Sequence, residues 1–175
     1  MPEIDEPISL SEYDEGWPAL FRREFRRLQA GLGVEPDMLE HIGSTAVPGL
    51  RAKPIIDIML GVARLPPAPK IHSALLGLGY EALGEAGVRG RYAYRLRAGG
   101  YGINVHVVER NAQHWRANIA FRDFLRSDRA ACEEYGRAKL AAIEGGAVTL
   151  LAYSGKKSEL VATLVAKAKA KYECE

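Results

Sequence analysis

His41–Leu60, HIGSTAVPGLRAKPIIDIML, is the stretch whose reading decides the fold. It sets a Gly-Ser turn ahead of an acidic residue embedded in an apolar strand, an order that suggests a phosphate site facing a metal site. Gly43 lets the backbone approach a ligand without a Cβ in the way. Ser44 and Thr45 offer hydroxyls, and their amides can point at phosphate oxygens if a helix starts here. Asp57 sits among Ile55, Ile56, Ile58 and Leu60. A carboxylate inside so apolar a strand is costly to bury unless it is paired, hydrogen-bonded or bound to a cation. The plain alternatives are an ordinary tight turn and a carboxylate that accepts backbone amides or pairs with an arginine.

Alternation along this strand puts Ile55, Asp57 and Met59 on one side and Ile56, Ile58 and Leu60 on the other. A thioether therefore stands where two-metal chemistry asks for a second hard oxygen ligand. That weakens a two-ion site, while one Mg²⁺ or Mn²⁺ held by Asp57, substrate phosphates and water stays compatible with the pattern. The turn is not a P-loop: neither it nor Ser154-Gly155-Lys156-Lys157-Ser158 supplies Gly-x4-Gly-Lys followed by Ser or Thr.

Upstream, Leu20, Phe21, Phe25, Leu28 and Leu32 recur at helical spacing and predict a helix from Trp17 to about Leu32, with Arg22, Arg23, Arg26 and Arg27 as a solvated face. A strand near Met38 to Ile42 leads into the turn. Downstream, the Pro-rich run from Leu65 to Pro69 is a stiff connection to a short helix around Ile71 to Leu78. A short strand is expected from Tyr80 to Leu83. Trp115–Arg126, Arg129–Ile143 and Lys156–Tyr172 each carry an apolar stripe, so the last third is helical. Strands in the middle and helices at the ends predict an α+β domain, its central mixed or antiparallel sheet packed with helices.

Arg91–Arg97 and Tyr101–Glu109 read as a hairpin joined through Ala98-Gly99-Gly100. If Tyr92, Tyr94 and Leu96 share a buried face with Ile103, Val105 and Val107, then Arg91 and Arg95 share the other face with Asn104 and His106. Guanidinium forks in that position suit phosphate or carboxylate, their plain alternative being solvated edge-strand charge. An imidazole at His106 suits manganese or zinc ligation, or general-base work on an acceptor hydroxyl, and is otherwise an ordinary strand histidine. Arg122 and Asp123, adjacent on a helix, diverge by about 100°, so one is expected to bind the hairpin or a substrate and the other to be structural. His41, His72 and His114 show no metal spacing and read as structural.

The words HIGSTAVPGL, KPIIDIM, NVHVVE and FRDFLR, with Tyr153 and Lys157 near the end, resemble the GrpB family of small bacterial proteins from about Trp17 to the last helix. A similar domain is fused to some dephospho-CoA kinases, and the family resembles the nucleotidyltransferase superfamily in fold. That resemblance implies a nucleotide or other phosphorylated small molecule as partner, with Gly43, Ser44 and Asp57 at the phosphate and cation end. It makes Lys53 a candidate anion contact, and Tyr153 with Lys157, spaced i, i+4, candidates for the nucleotide side of the cleft. Asp57 and His106 are then the candidate catalytic and metal-binding pair. The reaction implied is nucleotidyl transfer, in-line attack on an α-phosphate with pyrophosphate leaving. The superfamily's second acid is Met59 here, and His106 occupies a place where a third carboxylate is expected. Those departures favour the rival reading, a non-catalytic binding or accessory module with a degenerate site, for example one linked to CoA metabolism.

With 175 residues and an ordinary apolar fraction of 47%, the chain is expected to form one domain over 1–175. A formal charge of +2 carries no broad signature for nucleic acid or an anionic membrane. Cys132 and Cys174 make neither a disulfide framework nor a zinc motif and read as free thiols in a reducing compartment. No leader-like stretch opens the sequence and no run has the apolar length of a membrane span, so a cytoplasmic location is expected.

Overall fold

A computed structural model of the chain describes residues 9–146, 149, 152, 153, 155 and 158–172. Five helices and five strands are named here, numbered in chain order: α1 (Trp17–Leu32), β1 (Leu39–Ile42), β2 (Ile55–Val62), α2 (Pro69–Gly77), β3 (Glu81–Gly84), β4 (Tyr92–Ala98), β5 (Tyr101–Glu109), α3 (Gln113–Ser127), α4 (Arg129–Glu144) and α5 (Ser158–Tyr172). The strands form one mixed sheet in the order β1-β2-β5-β4-β3, so the fold is α+β as expected. Only the β2–β5 pair is parallel. Its crossover carries α2, β3 and β4, which is why β5 lies between β2 and the strand it pairs with in the hairpin.

The hairpin register follows burial. Leu96 opposes Ile103, Tyr94 opposes Val105 and Tyr92 opposes Val107, while Arg95 opposes Asn104 and Ala93 opposes His106. Ile56, Ile58 and Leu60 join that apolar face and pack with Leu28 and Leu32 of α1 and Leu75 of α2. The Arg run of α1 is not wholly a solvated face, however. Arg27 donates to Glu24 Oε1 (2.6 Å) and to the Leu78 carbonyl, and the Tyr80 hydroxyl donates to the same buried Glu24 oxygen (2.6 Å), tying α1 to the loop after α2. A buried carboxylate needs such donors, and the Arg at i+3 is the nearest supply.

The opposite face of the sheet is divided. Met59 is 0% exposed and packs with Ile42, Val108 and Trp115, the last from the first turn of α3. Gly61 permits this close approach, because a Cβ there would lie 2.7 Å from the Trp115 ring. α3 thus covers the Met59 and Gly61 end of β2 and leaves the Asp57 end beyond it. A further apolar cluster joins Val47 and Leu50 to Phe124, Leu125, Tyr135 and Leu164, holding α3, α4 and α5 beside the turn that precedes β2. Among the described residues, no helix is long and apolar enough to cross a membrane.

Candidate functional site

The chain reverses after β1 at Gly43, whose φ of 73° and ψ of −172° belong to a region that essentially only glycine occupies. Its Cα faces Asp57 so closely that a Cβ would meet Oδ2 at 2.7 Å. Ser44–Ala46 then form one three-residue 3₁₀ turn rather than an α-helix. Any anion here would meet turn amides and hydroxyls without the field of a helix terminus behind them. Gly43→Ala should therefore both strain the backbone and push on the Asp57 carboxylate. The expected cost is about 1–3 kcal/mol of stability, read from urea unfolding midpoints.

Asp57 is held from β5. Asn104 Nδ2 donates to Oδ1 at 3.0 Å, and His106 Nε2 donates to the same oxygen at 3.0 Å. Parallel register sets Asn104 beside Asp57 and leaves His106 to reach back diagonally from beside Met59. The Asp57 and His106 side chains are 16% and 15% exposed. Burial pushes the carboxyl toward protonation, but the His106 bond, the Lys53 charge and the Asn104 bond together hold it well below the usual carboxylate range. Since an ionised carboxylate only accepts, His106 carries its proton on Nε2, and its buried Nδ1 meets no hydrogen-bond partner among the described residues. On the far side of Asn104, the Arg95 guanidinium Nε donates to Oδ1 at 3.4 Å. Arg91, just ahead of β4, donates to the Ala86 carbonyl at 3.4 Å; burial lowers its pKa and the charge of Asp57 raises it.

In front of Asp57 is a small cleft of about 130 Å³ lined by Gly43, Ser44, Lys53, Tyr135, Lys139 and Tyr153, among others. Thr45 also borders it, but its hydroxyl is spent: it donates to the Ile55 carbonyl (3.3 Å) and accepts from His41 Nε2 (3.0 Å). Lys139 and Tyr135, both from α4, are functional candidates that the sequence reading missed. Lys139 is 1% exposed, donates to the Arg51 carbonyl and sits over the Tyr135 ring. Tyr135 lines the cleft beside Ser44, and burial pushes its hydroxyl pKa up to about 12. Their signal was present: Ala131, Tyr135, Lys139 and Ala142 form the buried stripe of α4, and a lysine on such a stripe asks for a reason.

The structure therefore brings Gly43, Ser44, Thr45, Lys53, Asp57 and Tyr153 to one cleft, with Arg95, Asn104 and His106 on the adjoining sheet face and Arg91 just ahead of β4. Lys157 lies outside the described residues. Arg122 reaches the rim but is committed, donating to Glu40 Oε2 (2.6 Å), the His41 carbonyl (3.0 Å) and both oxygens of its neighbour Asp123 (2.8 and 3.2 Å). Burial opposes its charge, yet those carboxylates outweigh burial and raise its pKa. The two neighbours that were expected to diverge instead bond each other, because a long guanidinium can fold back along the helix.

A two-ion centre does not fit these donors. Asp57 Oδ1 already takes two hydrogen bonds, His106 presents a proton rather than a lone pair toward Asp57, and Met59 is buried under α3. Among the described residues, no group of three His, Cys, Asp or Glu side chains is arranged to hold a metal ion.

Comparison with known proteins agrees with the architecture. The GrpB protein family profile matches residues 7–167. A UPF0157 protein of Streptomyces coelicolor is 38% identical over 92% of this chain and 84% of its own length. The crystal structure of the conserved protein GrpB from Enterococcus faecalis superposes with a TM-score of 0.82 at 30% identity, covering 94% of this chain and 99% of that one. A dephospho-CoA kinase of Mycobacterium bovis is 30% identical over 74% of this chain, a match that spans 38% of the kinase.

Proposed function

The chain belongs to the GrpB family, and we propose that it binds a phosphorylated small molecule in the cleft between the Gly43-Ser44 turn and Asp57. One observation carries this reading. Lys53 and Lys139 line the cleft and Arg95 bonds the Asn104 that holds Asp57, while Asp57 is the only acid among the described residues that line it. A phosphate beside an ionised carboxylate is repelled unless cations outnumber the acid, and here they do. Ser44, at the turn, adds a hydroxyl and an amide.

Of the two finer readings, the binding or accessory module is favoured over nucleotidyl transfer, because the second acid is replaced by a buried thioether and the donor set does not suit two ions. The partial match to a dephospho-CoA kinase supports placing the ligand among nucleotides and CoA precursors. Such a ligand and the free thiol of Cys132 suit a cytoplasmic protein.

The test is a thermal-stability panel of nucleotides, pyrophosphate and CoA precursors, with and without Mg²⁺ or Mn²⁺, on the wild type and Lys53→Ala. A ligand at a hundredfold its Kd adds about 2.7 kcal/mol, roughly 5–10 °C for a chain of this size. We expect a shift that needs no added ion and shrinks in Lys53→Ala. No shift with any ligand, in a folded protein, would remove the proposal; a shift seen only with Mg²⁺ or Mn²⁺ would return the site to metal-assisted chemistry.

A further inference from the structure

The two oxygens of Asp57 are used unequally. Oδ1 is turned to β5 and takes both hydrogen bonds, from Asn104 and from His106. Oδ2 lies toward Gly43, where a Cβ would meet it at 2.7 Å, and it accepts no hydrogen bond from the described residues. Asp57 and Gly43 both line the cleft, so Oδ2 is the oxygen left to meet whatever enters. Among the described side chains of that lining, Lys53 and Lys139 only donate, the hydroxyls of Ser44, Thr45, Tyr135 and Tyr153 can do either, and Asp57 alone can only accept.

Such an acceptor is a liability toward an anion that is itself all acceptors. The lysines offset the repulsion of charge, but they put no hydrogen between two facing oxygens. A ligand oxygen that carries a hydrogen turns the same contact into a charge-assisted bond. We propose that Asp57 Oδ2 accepts a hydrogen bond from a P–OH of the bound group, so that the cleft takes phosphate or a terminal phosphomonoester as its protonated monoanion and rejects oxyanions with no proton to give. The inference rests on the phosphate reading of the cleft and adds to it the residue that sets specificity and the form of the ligand that is bound. That form is accessible, because a phosphomonoester loses its second proton only at about pH 6. Sulfates of the same shape have no such proton there.

The experiment titrates inorganic phosphate, methyl phosphate, sulfate and methyl sulfate into the intact chain near pH 6, without added metal and with heat as the readout. The methyl phosphate monoanion and methyl sulfate match in charge and closely in shape, and differ by one hydrogen. Both phosphates should bind, and each sulfate should bind about a hundredfold or more weakly than its phosphate counterpart, as in a site built around a ligand hydroxyl. A cleft that reads charge alone would hold sulfate, a dianion, at least as tightly as phosphate; that result, or equal affinity for the two methyl esters, overturns the inference and leaves the anion cleft standing. Asp57→Asn keeps an oxygen for Asn104 and His106 and puts an NH₂ in the place of Oδ2. It should narrow the gap by admitting sulfate, and an unchanged gap in the folded variant overturns the assignment to Asp57. The wild-type comparison needs no variant to fold. If none of the four anions binds, the phosphate reading itself has failed.

Discussion

Met59→Asp should lower the unfolding free energy by about 4 kcal/mol or more, and should create no second metal ligand. The substitution completes, on paper, the Asp-x-Asp pattern whose absence marks this chain. In space it does something else. Met59 is fully buried among Ile42, Val108 and Trp115, with Ile119 packed against them. Removing the thioether loses apolar contact, and an aspartate in its place must be desolvated under α3, with the Glu40 carboxylate on the neighbouring strand adding like-charge repulsion. Large single-residue effects come from this mechanism. Denaturant unfolding of the purified variant measures the cost, and an unchanged midpoint would mean that α3 lifts readily from this end of β2. Met59→Leu, which keeps the volume, should cost under about 1.5 kcal/mol and serves as the control.

Acidification from pH 6.5 to 4 should cost roughly 3 kcal/mol of stability, and His41 should account for most of it. Its ring stacks on Phe21 at 4.5 Å and bonds Thr45, and it is 8% exposed. Burial lowers its pKa to about 4, with the attraction of Asp57 too weak to offset it. The sign follows from proton counting. The unfolded chain takes up a proton near pH 6.5, whereas the folded protein does so only near pH 4, so the unfolded state binds more protons in between and stability falls as pH falls. Asp57 acts lower down: with its carboxyl held below the usual range, the stability it contributes is present above its unfolded pKa and is lost only below about pH 4. Urea midpoints across the range for the wild type and His41→Gln separate the two. The His41 variant should be flat between pH 6.5 and 4, and a wild-type slope retained in it would assign the effect elsewhere.

Much of the fold was legible because burial writes a period into the sequence. The α1 boundaries, the β4–β5 register and the shared face of Arg95, Asn104 and His106 all follow from where apolar residues recur. The strand order was not legible. Alternation says which face a residue takes and nothing about which strand lies beside which, so the parallel β2–β5 pairing that delivers Asn104 and His106 to Asp57 had to come from the fold. The same limit explains Met59: its face was read correctly, but that α3 covers it depends on Trp115 reaching Gly61 from more than fifty residues away. Tyr135 and Lys139 were missed for a related reason. They lie about ninety residues beyond Ser44, on a helix whose stripe reads as ordinary core until its lysine is noticed.

The central claim is that the cations around Asp57 bind phosphate. It is tested most directly by titrating pyrophosphate, without added metal, into the wild type and into Lys53→Ala, with heat as the readout. The account predicts saturable binding by the wild type and a loss of roughly tenfold or more in affinity for the variant, as expected when a charge-assisted hydrogen bond is removed. Equal affinity in both proteins, or no heat in a folded wild type, would contradict it.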